Sequence, residues 1–460
     1  MSTDVRHLID RVPEDVLAIC QRLRDKGKRG WIVGGCVRDL LRGGATTPKD
    51  WDVCTDARPE EVVAFFRKVI PTGIQHGTVT VVLNGTHYEV TTLRGEGAYS
   101  DGRRPDKVEF VDDITADLAR RDFTLNAMAI DPIDGHLIDP FGGQRDLDAR
   151  VLRAVGDAAE RFFEDGLRVL RAARFSATLE CSVAPDTEAA MGAARSLDTF
   201  RRVSAERVRD EWVKAMSAAR PSVAFEAMRR TGLLAITCPE LVATIGIDTE
   251  SESASEPGDG AVDDVYHRSL ACLDACSGGA LLRLTALLHD VGKARSLVDH
   301  ARVGAEVAEA ILTRLKLSND ERARVTALIR HHAIGYSSSW TDAAVRRWIR
   351  RVTPDLAPDL HALGVAIART SRDGAAELRG LDELRVRVAA QLAAGAALST
   401  RDLKLNGRDL MVSLGLAPGR VVGETLERLL ELVTDDPALN EREALLAAAR
   451  TLLSEPRAAT

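Results

Sequence analysis

The residues whose types and spacing could do chemistry begin at Gly34-Gly35-Cys36-Val37-Arg38-Asp39, followed after a short loop by Asp50-Trp51-Asp52. Glycines let backbone N–H groups approach phosphate oxygens closely. Arginine meets a phosphate bidentately. Residues i and i+2 of a strand face the same way, so Asp50 and Asp52 are expected to project together. Two such carboxylates can share Mg²⁺ ions, which clamp the attacking and leaving oxygens of an in-line displacement. The plainer reading is a glycine turn before a helix and two solvated aspartates. The flanks favour the chemical one: Trp31-Ile32-Val33 reads as a short buried strand and Val37 to Leu41 as a helix start, so the turn falls at a strand-to-helix junction.

A second constellation lies downstream. Leu281 to Leu288 is an apolar helix that runs into His289-Asp290-Val291-Gly292-Lys293, with His267 before it and His300 and His331-His332 after it. A lone histidine on a helix is usually structural. Five of the ten histidines fall between His267 and His332, and that density favours a divalent-metal site.

The elements that must position these groups follow from patterning. A leading helix is expected from Pro13 to Arg24. Residues 31–140 alternate strands and helices; Trp51 to Cys54 reads as a strand, and Asn84-Gly85 joins Thr78–Leu83 to His87–Leu93 as a hairpin. Leu125 to Ile130 is a further apolar run. Residues 94–105 are polar and glycine-rich, which suggests a mobile loop. From Asp157 the pattern becomes helical, with Pro185, Pro221 and Pro239 as punctuation. Residues 248–264 are acidic and Ser/Gly-rich, a linker that sets off a second helical module. A third helical segment follows Ser399, with turns at Asn406-Gly407 and Pro418-Gly419. The divisions expected are therefore 1–30, 31–140, 141–247, 248–264, 265–380 and 381–460.

Bulk properties bound the function. At 460 residues, net charge −7 and pI about 5.9, the chain is not a uniformly basic nucleic-acid binder, although a local basic groove is compatible with it. Arginines cluster at Arg120-Arg121, Arg161, Arg168, Arg171, Arg174, Arg201-Arg202, Arg207 and Arg209, a pattern that fits phosphate contact. No apolar run reaches the ~18 residues of a membrane helix. Met1-Ser2-Thr3-Asp4 lacks a signal-peptide core, and seven scattered cysteines without a CxxC fit a reducing cytoplasm. Cys36 and Cys54 read as small buried residues.

Three ordered motifs then carry a family resemblance. They are Gly34–Asp39 with Asp50-Trp51-Asp52; Arg120-Arg121-Asp122-Phe123-Thr124-Leu125-Asn126-Ala127-Met128-Ala129; and Glu164-Asp165-Gly166-Leu167-Arg168 with Arg171 and Arg174-Phe175. Residues 30 to about 240 resemble bacterial class II tRNA nucleotidyltransferases (CCA-adding enzymes) and the poly(A) polymerases that share their head. Residues 266–373 resemble an HD-superfamily phosphohydrolase domain, and Leu403 to Gly423 resembles the C-terminal region of longer members. The fold implied is α+β: a small mixed α/β, polymerase-β-like head, then an extended all-helical neck, an HD domain and a tail.

The resemblance implies roles. Asp50 and Asp52 would hold Mg²⁺, and Glu89 would be a third carboxylate. Gly34, Gly35 and Arg38 would hold the triphosphate. Arg121 and Asp122, with Asn126 in the same motif, would select the ribose 2′-hydroxyl. Asp165 and Arg168, three apart on one helix and oriented by Glu164, would read the base edge. Arg171 and Arg174 would continue that face. The partners are tRNA, CTP and ATP, with no membrane; the sequence leaves the oligomeric state open. In the HD module, His267, His289, Asp290 and Asp373 would bind Mg²⁺ or a divalent transition metal.

Rival readings follow from the same residues. A poly(A) polymerase is expected to carry a Gly-Arg-Arg-Phe-type signature where this chain has Thr72–Val81. An A-adding enzyme working with a separate CC-adding partner is also compatible. A reading from another class makes the HD domain a metal-dependent phosphohydrolase, acting for example on 2′,3′-cyclic phosphate ends, with the head only binding RNA. It predicts a broken Asp-x-Asp, and Asp50 and Asp52 are both present.

Overall fold

The computed structural model describes residues 3–43, 48, 50–95, 109–248, 264–371 and 374–454. They divide into two compact units, Met1–Val242 and Ala243–Thr460. Most of the polar loop at 94–105, most of the acidic linker and Asp373 lie outside the described residues.

Among the described residues, the first unit is built on an eight-stranded sheet. Its strands are β1 (Thr3–Asp4), β2 (Gly30–Val33), β3 (Asp52–Thr55), β4 (Val69–Gly73), β5 (Thr78–Leu83), β6 (Thr86–Thr92), β7 (Ala129–Asp131) and β8 (His136–Ile138). Their spatial order is β1-β8-β7-β2-β3-β6-β5-β4. β3 and β6 are parallel, and the other neighbours are antiparallel. The Asn84-Gly85 hairpin forms as expected: both residues have positive φ, 48° and 84°, which a two-residue type I′ turn requires.

Side-chain alternation gives the sheet two different faces. On one, Ile32, Val53, Val79, Val81 and Val90 are buried with Val16, Ile19 and Leu23 of the Glu14–Asp25 helix and with Val37 and Leu40 of the Gly35–Arg42 helix. Each such aliphatic side chain contributes about 1.5–3 kcal/mol on burial. On the other, Trp31, Val33, Cys54 and Leu93 pack with Ile114 and Leu118 of the Ile114–Ala119 helix. Asp52 shares that second face with Cys54, two residues on, and thereby faces away from the larger core.

Several elements depart from the sequence pattern. β1 and β8 are two and three residues long and β4 is largely exposed, so none of them shows the buried–exposed alternation of a longer strand. The Leu125–Ile130 run divides into a 3₁₀ turn, Thr124–Asn126, and strand β7. The region 141–247 is not all helix, because β9 (Val151–Leu152) and β10 (Ser182–Val183) form a parallel pair. Its longest helix, Leu167–Thr178, is buried along Val169, Leu170, Ala173 and Ala177.

The second unit is helical among its described residues. The Val265–Ala275, Ala280–Leu288, His300–Arg314, Asn319–His331, Asp342–Val352, Ala357–Arg369 and Gly374–Ala393 helices come first. The Gly407–Leu414, Arg420–Asp435 and Arg442–Ser454 helices follow around a second core. The Gly374–Ala393 helix runs straight through the 380/381 division expected from sequence, since Leu384 and Val388 continue the core begun by Trp348 and Leu360. Arg346, 6% exposed, donates to the carbonyls of Thr434 and Asp435 at 2.7 and 3.0 Å. It thereby caps a helix C-terminus with a cation.

Candidate active site

In the first unit the glycine turn, β3, β6 and the Leu167–Thr178 helix enclose a cleft of about 610 Å³. Asp52 opens β3 and stands directly beside Glu89 of β6 in the parallel register. Burial, then the Glu89 carboxylate, push Asp52 above its ordinary value; Arg121 opposes this and Asp50 adds to it. An opposite charge placed beside them would relieve that repulsion. Asp50 is positioned differently from the sequence expectation. β3 begins at Asp52, so Asp50 lies exposed before the strand and does not owe its direction to strand alternation.

The turn itself is demanding. Gly34 has φ +81°, and a Cβ there would lie 2.8 Å from Arg121 Nη1. Arg38 donates to Asn126 Oδ1 at 2.7 Å, Asn126 Nδ2 donates to Asp122 Oδ1 at 3.1 Å, and Arg171 Nε donates to Asp122 Oδ2 at 2.8 Å. This relay ties the turn to the second and third motifs. Burial raises the Asp122 pKa, but Arg171, Asn126 and Arg168 outweigh it and leave it at about 2. Phe175 lies under three guanidiniums, those of Arg174, Arg171 and Arg38, at 3.8, 5.2 and 5.6 Å from its ring centre.

Asp165 and Arg168 are not on one helix. One helix ends at Glu164 and the next begins at Leu167. The break falls at Asp165, whose backbone is extended (φ −143°, ψ 105°), and Gly166 passes so close to the next segment that a Cβ there would sit 2.7 Å from the backbone of Thr199 and Phe200. Asp165 Oδ1 accepts the Leu167 amide at 3.0 Å and its Oδ2 pairs with Arg207 at 2.7 Å. Glu164 pairs with both Arg161 and Arg168. Arg168 Nη2 also donates to the Arg120 carbonyl at 2.8 Å. Arg174 is held by the buried Glu211.

Several lining groups escaped the sequence reading. Arg207, one of the clustered arginines, pairs with Asp165 at 2.7 Å. Arg94 and the buried Asp117 join Arg120 and Arg121 at one end of the cleft. Asp117 stands three and four residues before those arginines on a helix, a spacing that could have flagged it.

In the second unit, Asp290, His300 and His332 present ligand atoms within 4.8 Å of one another. The Nδ1 atoms of His289, His300 and His332 face the carbonyls of Ala286, Leu297 and Ile329 at 2.8, 3.0 and 2.6 Å. A carbonyl only accepts, so each Nδ1 carries a proton, and Nε2 is the nitrogen each ring turns inward. The three Nε2 atoms point at Asp290, 3.4, 3.8 and 3.7 Å from its oxygens. Lys293 holds Asp290 Oδ2 at 2.7 Å. Burial raises the Asp290 pKa, but His289, His332 and Lys293 hold it well below the usual value. Of the residues expected here, His289 and Asp290 lie together with His300 and His332, which the expectation did not name as ligands, while His267 Nδ1 meets Asp264 at 2.7 Å. His289, Asp290, Lys293, His300 and His332 line a cavity of about 550 Å³ with Arg268 and Tyr336.

Adjacent carboxylate-bearing strands facing an arginine-lined cleft define a nucleotidyltransferase head. Residues 30–153 match the "Poly A polymerase head domain" model, 182–244 the "Probable RNA and SrmB-binding site of polymerase A", and 296–449 "tRNA nucleotidyltransferase domain 2". Among curated proteins, the CCA-adding enzyme of Ligilactobacillus salivarius is 30% identical over 97% of this chain and 99% of its own length. That of Geobacillus thermodenitrificans is 34% identical over 94% and 96%. The CCA-adding enzymes of Lactobacillus johnsonii and Lactobacillus gasseri are more similar, at 44% and 46%, but the match spans about half their length, 56% and 53%. The Bacillus stearothermophilus CCA-adding enzyme, solved with CTP, superposes with a TM-score of 0.72 at 29% identity, covering 96% of this chain and 97% of that one. The chain belongs to the CCA-adding enzyme family of nucleotidyltransferases.

Proposed function

We propose that this protein adds or repairs the 3′-terminal CCA of tRNA from CTP and ATP, without a nucleic-acid template and with release of pyrophosphate. The observation that carries the reading is the single cleft that holds Asp52 and Glu89 at one part of its wall and Asp165 and Arg168 at another. Asp50, Asp52 and Glu89 fit Mg²⁺: they are oxygen ligands, and their mutual repulsion at Asp52 is what a divalent cation relieves. Bound there, Mg²⁺ supplies charge neutralisation and lowers the pKa of the attacking 3′-hydroxyl.

The chain's own residues do the positioning. The backbone of Gly34 and Gly35 lies at a helix N-terminus, where N–H groups and the helix dipole favour phosphate, and Arg38 stands beside it. Arg121 and Asp122 face the ribose, where a hydroxyl-binding site rejects a deoxy analogue strongly. Asp165 offers an acceptor and Arg168 a donor to the base edge. Phe175 and its guanidinium stack form the platform below. Seven buried, unbridged cysteines suit a reducing cytoplasm. No helix among the described residues is long and apolar enough to cross a membrane.

A 3′-end assay tests this reading. tRNA transcripts ending at the discriminator base, at C and at CC are incubated with Mg²⁺ and CTP, ATP or both, and their ends are sequenced. Addition of CCA followed by a stop is expected. A long A tail would make the protein a poly(A) polymerase. A single A added to the CC-ending transcript alone would make it the A-adding half of a pair.

The convergence of three Nε2 atoms on Asp290 supports a second reading for the second unit: a divalent-metal phosphohydrolase site held by His289, Asp290, His300 and His332. Asp373 is carried as a further ligand from the HD resemblance alone. Metal content after dialysis against Mn²⁺, Ni²⁺ or Co²⁺, and hydrolysis of 2′,3′-cyclic phosphate RNA ends, test it. Failure to retain metal and to hydrolyse either cyclic phosphates or simple phosphoesters would overturn it.

A further inference from the structure

Four N–H donors from three arginines in the first unit converge on one buried carboxylate that no motif includes. Asp117, in the last turn of the Ile114–Ala119 helix, is 0% exposed. Its Oδ1 accepts the Arg94 backbone amide at 3.1 Å and Arg120 Nε at 3.1 Å, with Arg120 Nη2 closer still. Its Oδ2 accepts Arg121 Nη2 at 3.2 Å. Each arginine leads to a different part of the cleft. Arg121 Nη1 lies against Gly34, and its charge acts on Asp52. The Arg120 carbonyl receives Arg168 Nη2 at 2.8 Å.

We infer that Asp117 is a positioning residue for nucleotide selection, setting Arg121 at the ribose and metal end and, through Arg120, Arg168 at the base end. This rests on the nucleotide-transfer reading of the cleft. Without a shared anion, the guanidiniums of Arg94, Arg120 and Arg121 repel one another and the two ends of the cleft lose their common register. Burial raises the Asp117 pKa, yet Arg120 and Arg121 outweigh it and hold it below its ordinary value.

Asp117→Asn keeps the shape and replaces one acceptor oxygen by an NH₂ group. Whichever way the amide turns, that NH₂ faces a guanidinium N–H. The turn that keeps the oxygen on the Arg94 and Arg120 side sacrifices fewer bonds and releases Arg121. The expected result is a rise of about 10- to 100-fold in KM for CTP and ATP. Arg120 keeps an acceptor but loses its ion pair, so Arg168, held by the Arg120 carbonyl, loosens with it; the ratio of kcat/KM for CTP over UTP is expected to fall at least about 10-fold, with KM for tRNA unchanged. A merely structural defect reduces the active fraction equally for every nucleotide and leaves both KM and the ratio alone.

If Asp117→Asn does not fold, Arg120→Met tests the same link from the partly exposed arginine and is expected to lower the CTP/UTP ratio similarly. Asp52→Ala is assayed alongside. If Asp52→Ala is inactive while the Asp117 or Arg120 variant keeps the wild-type KM and ratio, the positioning role is overturned and the reading of the cleft stands. If Asp52→Ala adds nucleotides as well as wild type, both fall.

Discussion

Replacing Gly34 by alanine separates two demands placed on the turn. The first is conformational: φ +81° with ψ −132° is a region that side chains avoid, at a cost of about 1–3 kcal/mol. The second is spatial: the new Cβ would meet Arg121 Nη1 at 2.8 Å. Arg121 is the far end of a flexible side chain, so it yields, but it leaves its place between Asp117 and the Asn126 carbonyl. Gly43 is the control, because it has φ +73° and nothing within 4 Å of its Cβ position. Both variants should lose similar stability, seen as a fall of about 2–4 °C in Tm per kcal/mol. Gly34→Ala alone should lose one charge-assisted contact to the nucleotide, about 1.5–3 kcal/mol, or about 10- to 150-fold in kcat/KM for CTP. Thermal melts and initial-rate kinetics on a CC-lacking tRNA read both quantities. A Gly34→Ala enzyme with wild-type kcat/KM, or a Gly43→Ala enzyme equally impaired, would refute the claim that the turn is glycine to leave space for Arg121.

Three further outcomes follow from the same geometry. Asp122, with a folded-state pKa of about 2 against an ordinary 3.8, contributes about 2 kcal/mol that is fully present above its unfolded pKa and lost as pH falls towards 2. Asp122→Asn should therefore lower Tm at pH 7 by more than at pH 3, and a pH-independent difference would count against the Arg171 pairing. Gly166→Ala should be severe, since its Cβ would lie 2.7 Å from the Thr199 and Phe200 backbone. Backbone cannot yield as a side chain does, so a loss of at least about 2–3 kcal/mol is expected in denaturant melts. His332→Ala removes one of three convergent nitrogens. It should cut Mn²⁺ affinity at the second unit at least about 10-fold by titration calorimetry while nucleotide addition by the first unit proceeds unchanged.

Local sequence determined much of this protein. Trp31–Val33, the Asn84-Gly85 hairpin and the helix entering His289 were legible because strand alternation, a two-residue φ-positive turn and a 3.6-residue period are properties of adjacent residues. The three motifs were legible for the same reason: each is a contiguous run with its own chemistry. What tertiary structure alone decided is which runs meet. Asp52 stands beside Glu89 only because β3 and β6 pair in parallel, thirty-seven residues apart in register. Asp165 and Arg168 fall on either side of a helix break, where Asp165 takes an extended backbone and its carboxylate meets the Leu167 amide and Arg207. His289, His300 and His332 meet around Asp290 because each directs its Nδ1 proton to a backbone carbonyl and leaves Nε2 pointing inward. A linear pattern records what each residue can offer; only packing between distant segments fixes the distance and direction on which charge pairing, metal ligation and base reading depend.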